Sequence, residues 1–263
     1  MSKGVLFDAT KCIGCRACQV ACKSWNENRS EDTANRGTAE NPPHLSADTW
    51  TKMRFTEIEG KDGFQWVFTK LQCMHCEHPA CATACIVGAF EKTKEGAVVY
   101  DAKKCIGCRY CMVACPFGVP AFEWDRPIPY IRKCTFCFDR LKGGMAPSCA
   151  TACPSGALSF GDRAELLAEA KRRIETAPAR YVPHVYGEKE AGGTCWLYIS
   201  SVPFESVGFP KLGPERMSVF SDPLMHAVPP VAVVVAGLMT GIYWFSKRRE
   251  KIAAHEDISE EKE

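Results

Sequence analysis

Cysteine thiolates bind soft metals, attack electrophiles or pair into disulfides, and this 263-residue chain has seventeen cysteines. Sixteen of them fall into four tetrads. The first is Cys12, Cys15, Cys18 and Cys22, and the second is Cys73, Cys76, Cys81 and Cys85. The third is Cys105, Cys108, Cys111 and Cys115, and the fourth is Cys134, Cys137, Cys149 and Cys153. Tetrads one and three read C-x2-C-x2-C-x3-C. In that run three thiolates hold one 4Fe–4S cubane and the fourth reaches across to another. Sixteen thiolates at four per cubane give four clusters. The spacing predicts a row of one-electron carriers.

Two other chemistries fit less well. Zinc sites use C-x2-C pairs, usually two cysteines per loop, whereas here three cysteines fall within seven residues, twice. A disulfide framework suits a small, core-poor secreted domain. This chain is 46% hydrophobic and long enough to build its own core. Cys195 stands outside the tetrads and reads as a buried apolar cysteine, not a ligand.

An internal repeat orders the elements around the thiols. Val5 to Cys22 recurs at Val98 to Cys115, and Pro79 to Ala89 recurs at Pro147 to Ala157. The chain is therefore type A, type B, type A, type B, a duplicated ferredoxin-like unit of the α+β class. Val5-Leu6-Phe7 and Val98-Val99-Tyr100 read as strands, the second closing a hairpin with Gly88-Ala89-Phe90. The x3 gap puts the third and fourth cysteines nearly one helical turn apart, so a short helix serves two clusters. Pro116 and Pro154 end that helix after the fourth ligand.

Tetrads two and three, joined by the hairpin, form an inner pair, and tetrads one and four remain as the outer pair. The expected ligand sets are Cys12, Cys15, Cys18 with Cys153, and Cys22 with Cys134, Cys137, Cys149. The inner sets are Cys73, Cys76, Cys81 with Cys115, and Cys85 with Cys105, Cys108, Cys111. The alternative pairs tetrad one with two and three with four, and must bridge the stretch from Lys23 to Gln72. His75 and His78 read as packing or hydrogen-bonding groups, and Trp25, Trp66 and Trp124 as core without a redox role. Lys11, Arg16, Lys104, Arg109 and Lys133 flank ligands. An oxidised cubane with four thiolates carries roughly −2, so four would add roughly −8 to a chain of net charge +2. Nearby cations offset part of that.

The expected domains are a four-cluster unit at 1–160, with a loop-rich insertion at 23–72 ending in a strand near Phe64–Phe68. A brace helix and an extended partner-contact arm follow at 161–222. Asp162 and Glu165 have capping-box spacing, and Leu166, Leu167, Ala170 and Ile174 make the apolar stripe of a helix running to Thr176. Tyr181 to Leu212, rich in Gly, Pro and aromatics, reads as an arm lying on another surface. A transmembrane anchor at 223–246 precedes a charged tail at 247–263. Ala227–Phe245 is without charge, about 28 Å as a helix against a hydrocarbon core of roughly 30 Å. Pro229 and Pro230 sit at its start, Tyr243 and Trp244 at its end. The near-neutral balance has no basic block, which gives no sign of nucleic acid.

The chain resembles the four-cluster subunits of membrane-bound molybdenum or tungsten oxidoreductases. Its likeness to the β subunit of respiratory formate dehydrogenase rests on CIGCRACQVACKSWN from Cys12, NPPHLSADTWTKMRF from Asn41 and QCMHC from Gln72. CIGCRYCMVACPFGVP from Cys105 and the YGEKEAGGT and VPFESVGFPKLG stretches resemble the hydrogenase-2 iron–sulfur subunit equally well. The family's ligands carry over onto all sixteen cysteines, although Cys22 and Cys85 lack the proline that follows Cys115 and Cys153. The resemblance implies a wire and not a catalyst. A large pterin-metal subunit would oxidise formate, and an integral membrane cytochrome b or quinone-binding subunit would receive the electrons. Rival readings attach the wire to a nickel–iron hydrogenase or an S-/N-oxide or polysulfide reductase, or make it a free membrane-anchored ferredoxin or redox sensor. Lys247, Arg248, Arg249 and Lys251 follow the apolar segment, so the positive-inside rule puts the tail in the cytoplasm and the cluster domain in the periplasm. Met1-Ser2-Lys3-Gly4 shows no signal peptide or twin-arginine run. The resemblance implies export bound to a partner that bears the signal.

Overall fold

A computed structural model describes residues 2–60 and 63–260. Met1, Lys61, Asp62 and residues 261–263 of the expected charged tail lie outside them. The chain divides into two compact units, one ending at Val219 and one starting at Phe220.

The first unit is built on a three-stranded sheet in the order β8-β1-β9. Strand β1 (Lys3–Asp8) runs antiparallel to β8 (Leu158–Asp162) and parallel to β9 (Trp196–Ile199). Val5-Leu6-Phe7 and Trp196-Leu197-Tyr198-Ile199 are continuous apolar runs because both faces of this sheet are covered. Leu6, Leu197 and Ile199 face helix α6 (Arg163–Thr176), meeting Leu166 and Ala170. Val5, Phe7, Trp196 and Tyr198 face the thiol-bearing loops, in one core with Cys18, Phe136 and Cys149. Each large side chain so buried contributes roughly 1.5–3 kcal/mol.

The repeat survives as geometry. Strand β4 (Phe90–Lys92) pairs with β5 (Val98–Tyr100), with Phe90 opposite Tyr100 and Lys92 opposite Val98. The corresponding residues of the other half, Leu158 opposite Phe7 and Phe160 opposite Val5, pair in the same register. The unit is therefore two pseudo-symmetric halves, the inner one contiguous and the outer one closed between the chain's beginning and residue 162.

Of the short helices expected to carry the third and fourth cysteines of each motif, only the first holds both within it. Helix α1 (Ala17–Trp25) carries Cys18 and Cys22, α2 (Ala80–Thr83) carries Cys81, and α3 (Tyr110–Ala114) carries Cys111 with Cys115 at its C-cap. Helix α5 (Ser148–Thr151) carries Cys149. Lys23 stands where the other A motif has Pro116, and α1 accordingly runs four residues longer than α3, nine against five. Helix α4 (Phe138–Lys142) follows Cys137, and the short strands β6 (Ala121–Phe122) and β7 (Ile131–Arg132) pair between the last two tetrads.

Four expectations need correcting. The 23–72 insertion holds two strands, not one: β2 (Thr51–Gly60) and β3 (Gly63–Gln72) form a ten-residue hairpin. Charged Lys52, Arg54, Glu57 and Glu59 masked the first strand. The 181–212 stretch is no arm lying elsewhere. It supplies β9 and, with Tyr186, Phe204 and Phe209, part of the main core. Asp162 sits at the N-cap of α6 but makes no capping bond, because its carboxylate accepts from Lys3 Nζ at 2.9 Å. In the second unit, helix α7 (Ser218–Glu260) starts before the apolar segment, so Pro229 and Pro230 stand inside it and not at its first turn. Within it, Ala227–Ile252 is long and apolar enough to cross a membrane, with a mean hydropathy of 1.7 over its 18-residue apolar window.

Candidate metal centres

Each A motif wraps its loop with the same pair of left-handed residues. Gly14 and Gly107 have φ of 67° and 72°, and Arg16 and Arg109 have φ of 60° and 61°. The B motifs match one another likewise, with His75 at 48° and Phe136 at 62°. A left-handed residue other than glycine is uncommon and concentrates at functional loops. Here it turns the peptide N–H groups toward the sulfurs. Gly107 N donates to Cys105 Sγ at 3.4 Å, Phe136 N to Cys134 Sγ at 3.4 Å and Ala89 N to Cys85 Sγ at 3.2 Å.

The fold gathers the sixteen thiols across the tetrads. Burial pushes the Cys12 thiol up to about 11, with Cys153 and Cys15 adding to the rise. Burial likewise raises Cys22 to about 12, where Cys149, Cys137 and Cys18 are its thiol neighbours, and Cys134 has Cys22 and Cys137 beside it. Cys76, raised by burial, lies with Cys73, Cys115 and Cys81. Cys111, raised by burial to about 12, lies with Cys108, Cys85 and Cys105. Successive sets lie close enough to influence one another electrostatically: Cys18 with Cys149, Cys134 with Cys73, and Cys81 with Cys111. Cys15 and Cys108 are exposed, at the two ends of this series.

These surroundings suit a cubane. All seventeen cysteines are free. Among the described residues no three His, Cys, Asp or Glu side chains close on a single ion. Cys22, Cys134, Cys137 and Cys149 line one cavity, together with Lys70 and Trp196. The Trp196 indole Nε1 is buried with no acceptor, although indole N–H groups in proteins normally find one. A sulfide-bearing group held by these cysteines would offer acceptors.

Of the five flanking cations, Lys133 is buried and donates to the carbonyls of Val98 and Cys134. Arg16 lies over the Phe55 ring and Arg109 over Trp124, each at 4.9 Å, and Lys104 reaches Asp101 at 4.0 Å. Lys70 escaped the sequence reading, since a lysine in an alternating strand reads as solvent-facing. It is fully buried. Burial disfavours its ammonium, but Cys149, Cys18, Cys134 and Cys22 outweigh this and raise its pKa above the ordinary lysine value. Trp25, Trp66 and Trp124, expected in the core, are exposed instead. Cys195 is buried as expected but in polar surroundings, with Lys92 Nζ and Glu77 Oε1 each 3.1 Å from its sulfur. His75 is a hydrogen-bonding group: its Nδ1 accepts from Val98 N at 2.9 Å, and its ring lies against Phe136.

Known proteins share this arrangement. A family described as 4Fe-4S dicluster domain matches residues 64–163, and another of the same description matches residues 11–89. Two such domains make four clusters. A protein of Nitratidesulfovibrio vulgaris is 46% identical over 97% of this chain and 70% of its own length. The formate dehydrogenase iron-sulfur subunit of Haemophilus influenzae is 38% identical over 89% of this chain and 76% of its own length. The hydrogenase-2 operon protein HybA of Escherichia coli is 34% identical over 97% and 87%. The nitrate-inducible formate dehydrogenase iron-sulfur subunit of Escherichia coli is 42% identical over 74% of this chain, which spans 66% of that relative. With four clusters' worth of thiols on a duplicated ferredoxin-like frame, the chain belongs to the family of iron–sulfur electron-transfer subunits found among these formate dehydrogenase and hydrogenase-2 proteins.

Proposed function

We propose that this chain carries electrons from a molybdenum- or tungsten-pterin formate dehydrogenase subunit to a membrane cytochrome b or quinone-reactive subunit. The observation that carries the reading is the unbroken series of thiol sets with an exposed cysteine at each end. Cys12, Cys15, Cys18 and Cys153 hold the first cluster, and Cys22, Cys134, Cys137 and Cys149 the second. Cys73, Cys76, Cys81 and Cys115 hold the third, and Cys85, Cys105, Cys108 and Cys111 the fourth. Each cubane, when bound, supplies a one-electron carrier. The chain's own residues space these groups, shield them from water and neutralise part of their charge. Strand register supports the grouping, since β1 pairs with β8 as β5 pairs with β4.

Exposed apolar side chains occur in the same short motifs as both exposed cysteines. Ile13 and Val20 lie near Cys15, and their repeat counterparts Ile106 and Val113 lie near Cys108, all of them exposed. Exposed apolar patches mark docking surfaces, and two such ends suit an electron donor and an acceptor. The apolar helix serves as the anchor in an inner membrane, with the basic run after Phe245 cytoplasmic and the cluster domain periplasmic. A second reading, the same wire on a nickel–iron hydrogenase, draws support from the match to HybA, which covers more of both chains than the Escherichia coli formate dehydrogenase match does.

Metal analysis of the native complex purified from membranes separates these. Molybdenum or tungsten with formate-dependent reduction of the clusters is expected. Nickel without either metal gives the hydrogenase reading, and a chain that purifies without a large subunit refutes both. Iron should approach sixteen atoms per chain, four in each of four clusters.

A further inference from the structure

Lys70 is a buried cation with no anionic partner among the described side chains. It is 1% exposed, on β3, three residues before Cys73. Its ammonium donates to Thr51 Oγ1 at 2.6 Å and Gln72 Oε1 at 2.9 Å, and it lies over the Trp196 ring at 4.4 Å. These contacts are polar or polarisable, but none carries a full negative charge. Lys52 and Lys92, on the same unit, pair with Glu40 and Glu77. Buried ammonium groups need such a counter-charge, because taking one out of water without it is prohibitively costly. Two of its three N–H bonds are used, and the residue lines the cavity it shares with Cys22, Cys134, Cys137 and Cys149. A cubane with four thiolates, at net charge of roughly −2, is the missing anion.

We propose that Lys70 is the counter-cation of the cluster held by Cys22, Cys134, Cys137 and Cys149, and that its fixed charge raises that cluster's reduction potential. The inference rests on the ligand grouping given above. Reduction brings one electron from a neighbouring cluster, adds one negative charge and moves no proton. A nearby positive charge stabilises the reduced state over the oxidised one. Lys70 is a positioning residue in this sense: it binds no iron and acts through the electrostatic field. At the short distances available inside one cavity, in a protein interior, the effect amounts to a factor of ten or more in the reduction equilibrium. For a one-electron couple that is about 59 mV.

The test is potentiometric titration, followed by electron paramagnetic resonance, of the full-length holoprotein carrying Lys70→Met, Lys70→Gln or Lys70→Arg. Both neutral variants should keep full iron and lower one midpoint by at least tenfold in the reduction equilibrium, leaving the other three in place. The arginine variant should restore it. The signal that moves should be the one altered by Cys134→Ser. Four unmoved midpoints in an iron-replete neutral variant would overturn the proposal, as would a shift confined to another cluster. Loss of iron from both neutral variants would also overturn it, making Lys70 a structural residue. The ligand grouping is tested apart from this: if Cys22→Ser and Cys134→Ser alter different signals, the grouping fails whatever Lys70 does.

Discussion

Cys153 tests the crossing of ligands at the scale of single residues. It follows α5, yet its neighbours include Cys12, at the opposite end of the sequence. Cys153→Ser should therefore change the resonance of the cluster shared with Cys12, Cys15 and Cys18, and leave the one with Cys134 and Cys137 as it was. An effect on the latter would show that the fourth tetrad keeps its own last cysteine. Cys195→Ser should leave iron content unchanged, because its sulfur is engaged by Lys92, Glu77 and Ser2 and lies outside every thiol set. A fall in iron would make it a ligand. The thiols were legible in the sequence because cubane ligation is local, three sulfurs on one short loop. Lys70 was not, because its burial depends on Trp196 arriving from more than a hundred residues away.

Among the elements, α6 combines a buried stripe with an exposed ionic one. Leu166→Ala should cost about 2–5 kcal/mol, read as a lowered midpoint in denaturant, since Leu166 packs on Leu6 and Leu197. On the outer face, hydrogen bonds from Arg172 and then Arg173 draw the Glu169 carboxyl down to about 2. A depressed carboxyl stabilises the fold above the unfolded value of about 4.5, and that stabilisation fades as pH falls toward about 2. The carboxylate is partly solvated, so Glu169→Gln should cost less than about 1 kcal/mol at pH 7, and that cost should shrink as pH falls through about 2. A cost that does not fall with pH would point to packing and not charge. The helix itself could be read from its periodicity. Strand β9 could not, because Gly-rich and Pro-rich flanks made WLYI look like part of an irregular segment, and a parallel partner so far back in the chain leaves no local mark.

For the whole molecule, the proposed anchor assigns the cluster unit to one side of a membrane. Arginines and lysines cluster within six residues after Phe245, whereas Lys211 and Arg216 lie well before Ala227. Protease added to intact spheroplasts should digest the cluster domain, and protection until lysis would put that domain in the cytoplasm. The duplicated architecture was visible in the repeat, and the apolar helix in its lack of charge. Its early start at Ser218 was not visible, because Pro229 and Pro230 resemble a helix N-terminus, whereas here both stand inside the helix.

The pairing of β1 with β8 also governs the order in which the molecule can be made. The inner half has all its proposed ligands and its hairpin within one stretch of chain, although Gly193–Cys195 later bonds to its Met74–Glu77 segment. The outer half cannot close until Leu158–Asp162 has emerged to meet Lys3–Asp8. Until that stretch emerges, Cys12, Cys15 and Cys18 wait for Cys153, their proposed fourth ligand, and the long loop must be closed against its entropy. On the proposed ligand grouping, the eight inner thiols would be available as complete sets before the outer ones. A ribosome stalled before residue 158 would present those complete inner sets while four thiols still wait at the N-terminal end.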